Sequence, residues 1–265
     1  MTVWAVDTSI WDAVTIVAGK VVYKPVDWVK TGLDMAIVKV AEGVWEDPAF
    51  KIQWAAAKGV MPRIAYHFFR SNQNAIAQAE FVKSILADDF DRSTDFIALD
   101  FETADGVPPD RRLAAVGSWL YEVEKFGTLP FIYTRASFWL DAGGAQAVWA
   151  RKYPLWLAAW PLDNWIARMK LPPYIFKVEK LAKFKADIVA GKYKPSIPRP
   201  WSECAIWQFT ARADTRAVPG HPAVKKVCDY NAVFMLLPAI PDAPPVKPPV
   251  RERKCPFEQC PLDKL

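Results

Sequence analysis

The chain has 265 residues, 52% of them hydrophobic and 24% charged, which excludes a wholly disordered or fibrous protein. Its length leaves room for one large domain or two small ones. A net charge of +5 is too small to point to nucleic acid, and no run approaches the roughly 18 apolar residues of a membrane helix. The opening MTVWAVDTSIW has neither a basic segment nor an apolar core, so no secretory signal is expected.

Short apolar runs predict strands at Val3–Thr8, Met35–Ala41, Pro62–Phe69, Asp95–Phe101, Leu129–Thr134, Pro154–Trp160 and Ala205–Phe209. Between the early ones the spacing predicts helices over Asp47–Lys58, Gln73–Asp88 and Pro109–Phe126. Pro109 and Asp110 suit a helix start, where a missing N–H costs nothing and negative charge is favoured. Gly59 and Gly127 stand where C-terminal stops belong.

Strands alternating with helices imply parallel βαβ units. Cores such as MAIVKV and DFIALDF are apolar nearly throughout, as in strands covered on both faces. The expected architecture is an α/β barrel, an incomplete variant of the eightfold one; an open doubly wound sheet is the alternative. No glycine-rich phosphate loop follows the first strand, which counts against the open sheet. Residues 238–265 hold eight prolines in 28 positions, favour extended conformations and read as a tail behind a domain of residues 1–237.

Residues 166–200 carry nine bases and two acids, so this window is +7 and the remainder −2. A solvated helix face is the commoner reading; a surface that draws an anionic polymer is the other. The four cysteines form no CxxC pair and two histidines complete no metal site, so no metal or cofactor is expected. Cys255 and Cys260 would close a small loop in an oxidising compartment, but without a signal peptide reduced thiols are expected.

In α/β barrels, chemistry gathers at the C-terminal ends of the strands. The first predicted strand ends at Asp7, the second delivers Glu42, the third Tyr66 and His67, and the fourth Asp100 and Glu102. Tyr133 follows on the fifth, then Trp156 and Trp160, then Trp207 and Gln208, and last Asp229 in CDYN. Side chains at i and i+2 of a strand share a face, so Asp100 and Glu102 are expected to face one space, with Leu99 and Phe101 turned away. Crowding two carboxylates raises one pKa, which is what a general acid needs.

These segments, AVDTS, VKVAEG, AYHFF, ALDFE, FIYT, PLWLAAW, IWQF and DYN, stand in order over residues 3–236, and together they resemble the family 25 glycoside hydrolases. The resemblance implies a modified barrel of five β/α units followed by extra strands. It also implies cleavage of the β-1,4 bond after N-acetylmuramic acid in peptidoglycan. Glu102 then matches the general acid, Asp100 the partner that holds the 2-acetamido group or stabilises the oxocarbenium-like centre, and Asp7 and Asp229 the other acids of the cleft. Tyr66 matches the tyrosine beside the reacting sugar, and Glu42, Tyr133 and Gln208 stand among the substrate-binding candidates. Ala41 replaces the family's usual threonine, and about 44 residues, Pro161 to Cys204, separate two motifs and hold the basic window.

Retention by an attacking carboxylate and a substrate-assisted route both fit such a site; acids on adjacent strand positions favour the second. Of thirteen tryptophans, Trp156, Trp160 and Trp207 are the choices for glycan contact, whereas Trp11, Trp28, Trp54, Trp119 and Trp149 are expected to pack. His67 is expected to face away from the cleft if Tyr66 faces in, and His221 reads as a loop residue. The expected partner is a peptidoglycan strand, and the basic insertion is a candidate contact for anionic wall polymers. A monomer acting on the bacterial wall is expected, delivered through a phage pore, by a non-classical route or in a virion. A glycan-binding or structural wall protein that keeps the barrel without turnover is the rival, and cleavage of the neighbouring glucosaminidase bond or of chitin-like polymers is a third reading.

Overall fold

The computed structural model describes residues 2–161, 175–222, 226–235 and 251–252. In chain order, β1 (Val3–Thr8) leads through α1 (Ile10–Ala13) into a hairpin of β2 (Val14–Val17) and β3 (Lys20–Tyr23). After α2 (Trp28–Thr31) come β4 (Met35–Glu42), the short β5 (Trp45–Glu46), α3 (Phe50–Ala57) and β6 (Arg63–Phe68). Then follow α4 (Ala75–Leu86), β7 (Asp95–Asp100), α5 (Pro109–Glu124), β8 (Phe131–Arg135), α6 (Ala136–Asp141) and β9 (Leu155–Ala158). The described chain ends with α7 (Val178–Val189), β10 (Ile206–Asp214), β11 (Val227–Val233) and β12 (Arg251–Glu252), which pairs with β3.

Eight strands close into a barrel, in the order β1, β4, β6, β7, β8, β9, β10, β11 and back to β1. All run parallel except β11, which is antiparallel to both neighbours; β5 adds a ninth, antiparallel strand at the edge of β4. This is the expected modified barrel. β11 and the β2–β3 hairpin were not among the predicted strands, and β10 runs past the predicted Phe209. Two register breaks in the β10–β11 ladder, between Gln208 and Thr210 and between Thr210 and Ala213, carry the polar TARAD segment along the sheet. The predicted helix at Asp47–Lys58 begins at Phe50, because the buried Asp47 carboxylate is occupied outside it, accepting from Ile10 N and Ala49 N.

Strand alternation divides the core in two. Ala5, Met35, Ile37, Ile64, Ala98, Phe131, Ile206 and Val233 fill the barrel interior. Their neighbours Val6, Ala36, Val38, Leu99, Ile132, Leu157 and Trp207 face the helices. Phe101 belongs to the outer layer, with Phe138 at 4.9 Å and Phe69 at 6.4 Å between ring centroids, and truncating it to alanine would cost about 3–5 kcal/mol. At the N-terminal end of the strands, Arg63 Nε donates to Asp95 Oδ1 at 2.8 Å, and its guanidinium also reaches the carbonyls of Trp54 and Asp89. Such a fully bonded buried pair is costly to break from one side.

The described part of the basic window is built into the fold. α7 turns Leu181, Phe184 and Ile188 inward, and Phe184 lies 5.4 Å from Phe209. Lys183 and Lys192 both pair with Asp187, and Lys185 lies over Trp4 while donating to the Tyr230 hydroxyl. Apart from β12, the tail at 238–265 lies outside the described residues, as do Cys255 and Cys260; Cys204 and Cys228 are buried free thiols.

Candidate active site

Along each inward row of the barrel, apolar residues fill the bottom and polar ones crown the C-terminal end: Ala5 then Asp7, Ile37 then Lys39, Ala98 then Asp100, Ile206 then Gln208. Because β11 runs the other way, Val233 lies low and Asp229 high, with Asp229 directly opposite Asp7 across the β1–β11 ladder. The crowning Asp7, Lys39, Asp100, Gln208 and Asp229 line a cavity of about 270 Å³ together with Ser9, Trp11, Tyr66, Phe68, Glu102, Tyr133, Trp156, Trp160 and Ala211. A recess of about 1090 Å³ opens at the other end of the barrel, but among the described residues lining it Glu203 is the one acid. Converging charge, not size, marks the smaller cavity as the site.

The acids differ in their surroundings. Asp100 is 5% exposed, and its buried Oδ1 has no hydrogen-bond partner among the described residues. Burial and then the charge of Glu102 hold its carboxyl well above the usual range. Glu102 is also raised by burial, but Arg135 and Lys39 pull it back, and Arg135 Nε stands 3.9 Å from its Oε2. Phe101 between them faces the helices, as strand alternation requires.

Asp7 is held by two amides. Gln208 Nε2 and Asn231 Nδ2 both donate to its Oδ2, at 3.0 and 2.8 Å. Indole N–H groups can only donate, so they fix which way each amide points. Trp160 Nε1 and the Tyr133 hydroxyl donate to Gln208 Oε1, and Trp156 Nε1 donates to Asn231 Oδ1. Tyr66 and Tyr133 pack edge-on against Trp156, at 6.0 and 4.5 Å, and burial holds both phenols well above their usual range. They are therefore protonated at any working pH.

Of the residues expected from sequence, Asp7, Tyr66, Asp100, Glu102, Tyr133, Trp156, Trp160, Gln208 and Asp229 meet at this cavity. Glu42 does not line it: its carboxylate is paired with Lys39 at 2.8 Å and with Arg70, which together lower its pKa against the effect of burial. Trp207, chosen for glycan contact, is 1% exposed in the outer layer and donates to the carbonyl of Ala159, because its neighbour Gln208 takes the inward position. Trp156 is itself only 2% exposed, so it forms the floor and holds Asn231. Trp11, expected to pack, lines the cavity instead. His67 faces the helices as expected, donating to the carbonyl of Gly43 and stacked on Trp119; burial pushes its pKa down to about 4. His221 sits in a loop, 3.8 Å from Asp12.

Sequence reasoning assigned no role to Lys39, Phe68 or Asn231. Two had a usable signal: Lys39 is two residues past the inward Ile37, and Asn231 two residues past Asp229.

No curated protein sequence matches the chain. Among solved structures, the lysozyme from Streptomyces coelicolor is similar over 87% of this chain and 91% of its own, with 21% identity and a TM-score of 0.60. The muramidase from Trichobolus zukalii aligns over 89% of this chain and 95% of its own, at 21% identity and a TM-score of 0.61. The catalytic domain of endolysin ply40 from bacteriophage P40 of Listeria monocytogenes aligns over 88% and 94%, at 18% identity and 0.58. At such identities the likeness establishes the barrel fold. The sequence pattern of "Glycosyl hydrolases family 25" matches residues 6–218. That span carries every acid of the cavity except Asp229, and the chain belongs to family 25 of the glycosyl hydrolases.

Proposed function

We propose that the protein hydrolyses the β-1,4 bond following N-acetylmuramic acid in peptidoglycan, with Glu102 as general acid and the substrate's own acetamide as nucleophile. The observation that carries this reading is the convergence of four carboxylates on one cavity, with the buried Asp100 Oδ1 lacking a partner among the described residues.

The chemistry follows from the difference between the two acids. Asp100 lies deep, and its bare oxygen is available to the N–H of a 2-acetamido group. An N–H donated to a carboxylate favours its charged form, so substrate binding leaves the proton of the crowded pair on Glu102. Glu102 is 28% exposed and can reach the leaving oxygen. As the glycosidic bond breaks, Glu102 gives its proton to that oxygen and the acetamido oxygen closes on the anomeric carbon. Water, deprotonated by Glu102, then opens the oxazolinium from the first face, giving net retention. Asp7 and Asp229 supply negative charge beside the developing cation, and Trp160 offers a rim for the sugar's C–H faces.

The site of action is then the bacterial cell wall. Among the described residues no helix is long and apolar enough to cross a membrane.

Digestion of purified peptidoglycan, with mass spectrometry of borohydride-reduced fragments, tests this reading. Ends in reduced N-acetylmuramic acid are expected, and they should vanish with Glu102→Gln while the fold is kept. Ends in reduced N-acetylglucosamine would move the cleaved bond. No products from several wall types, with the protein folded, would favour a barrel that binds glycan without turnover.

A further inference from the structure

Among the described residues lining the cavity, Lys39 is the one base set against the carboxylates of Asp7, Asp100, Glu102 and Asp229. Its position is built by an irregularity in the sheet. In the β4–β6 ladder Lys39 pairs with Tyr66 and Ala41 with His67, so Val40 is an extra residue. Val40 and Ala41 both face the helices, and the alternation slips by one. Glu42 is thereby brought round to Lys39, with Nζ 2.8 Å from Oε2. Arg70 takes the other oxygen of Glu42, with Nε at 3.0 Å, and reaches on to Asp105 Oδ1, also at 3.0 Å. The Phe68 ring on the cavity wall lies against both cations, 4.9 Å from Lys39 Nζ and 5.1 Å from Arg70 Cζ.

We infer that Lys39, held on the cavity wall by Glu42, is the positioning cation of the Asp100–Glu102 pair, and that Glu42 serves the reaction as its holder. This deepens the proposed reading of the site and rests on it. An ammonium has three donors. Anchored through one of them to Glu42, Lys39 presents a fixed positive charge to a cavity otherwise lined with acids. The groups facing the pair are Asp7 and Asp229 from β1 and β11, Lys39 and Glu42 from β4, Tyr66 from β6, and Tyr133 and Arg135 from β8. Arg135 is 45% exposed and stands beside Glu102, whereas Lys39 is 12% exposed and acts on both acids. Lys39 opposes the effect of burial on Asp100, while Glu42 adds to it. Without the ammonium, Asp100 would hold its proton more tightly and would be less available to receive a substrate N–H as a carboxylate.

The test compares the full chain with Lys39→Met, Lys39→Arg and Glu42→Gln, measuring the pH profile of peptidoglycan clearing. Losing the ammonium should move both limbs upward by about one pH unit. Lys39→Arg should bring them back. Glu42→Gln keeps the ammonium but frees it from its holder, so the limbs should move upward by less than in Lys39→Met, the lost negative charge opposing the change. A Lys39→Met protein that loses rate with its limbs unmoved, or a Glu42→Gln protein whose limbs do not move upward, would overturn the inference. Carbon-detected NMR titration of the Asp100 and Glu102 carboxyls reads the same shifts without substrate. A wild-type chain that cleaves nothing would defeat the hydrolase reading, while the titration would still decide the role of Lys39.

Discussion

Asp7 and Asp229 are direct partners across the antiparallel β1–β11 pair, so two carboxylates share one side of the sheet at the cavity wall. Like charges in that relationship cost stability. The amides of Gln208 and Asn231 offset part of the cost, since both donate to Asp7 Oδ2. Their orientation comes from the indoles of Trp160 and Trp156, so a tryptophan here acts on an acid through an amide.

Asn231→Ala should therefore lower the turnover rate by roughly 10- to 100-fold, because a carboxylate misplaced by a fraction of an ångström loses its alignment. Trp156→Phe keeps a ring against Tyr66 and Tyr133 but removes the donor to Asn231, and should give a weaker form of the same defect. Steady-state rates on purified peptidoglycan separate the cases. If Asn231→Ala turns over like wild type, the amide has no part in placing Asp7.

Asp100→Asn should uncouple activity from stability. The amide cannot take a negative charge, and losing a group that acts on the reacting centre costs about 10²–10⁴ in rate. The same change spares the fold a desolvated carboxylate crowded by Glu102, so the melting temperature at pH 7 should hold or rise. A clear drop in melting temperature would mean that the charged form of Asp100 contributes to the fold.

Stability should respond to pH in two opposed ways. Burial raises Asp47 to about 6, and raises Asp100 and Glu102, so the folded chain binds protons more tightly than the unfolded one. These carboxyls favour the fold increasingly as pH falls from 7 toward 4, whereas His67, pushed down to about 4 by burial, favours it less over the same range. Glu122 and Asp214 are lowered to about 2 by their Lys and Arg partners, and their contribution is lost as pH falls below about 4. Between pH 7 and 4 the stability difference between wild type and Asp47→Asn should therefore shift by roughly 2–3 kcal/mol in favour of wild type, since the raised carboxyl differs by about two units between the folded and unfolded chain. Melting curves of the two proteins at both pH values check this, and a difference that stays constant would contradict the raised Asp47.

Much of the site was legible because strand alternation is strict where strands are short and parallel. DFIALDFE gives away Asp100 and Glu102, and the apolar Leu99 and Phe101 confirm the face. Legibility fails where the ladder is irregular. The extra residue at Val40 turns Glu42 toward Lys39 and makes a motif acid into an ion-pair partner, which no spacing reveals. β11 was hidden as a strand because CDYN alternates polar residues inward near its top, against the apolar pattern of the parallel strands. The β2–β3 hairpin turns on Ala18 and Gly19, both at positive φ, and an alanine there gives no turn signal.

Trp160 and Trp207 test the alternation most directly, since both stand in strand-end motifs and both were expected at the glycan. Trp160 is half-buried on the cavity rim and bonded to Gln208, whereas Trp207 packs beneath the helices 5.9 Å from Phe209. Trp160→Ala should raise the half-saturating peptidoglycan concentration by about tenfold, the loss of one stacked ring, with melting little changed. Trp207→Ala should do the reverse, costing about 3–5 kcal/mol of stability while the folded fraction keeps its affinity. Thermal melts and saturation curves on the two variants check both halves. Equal losses of affinity would place Trp207 at the substrate and reverse the facing of β10.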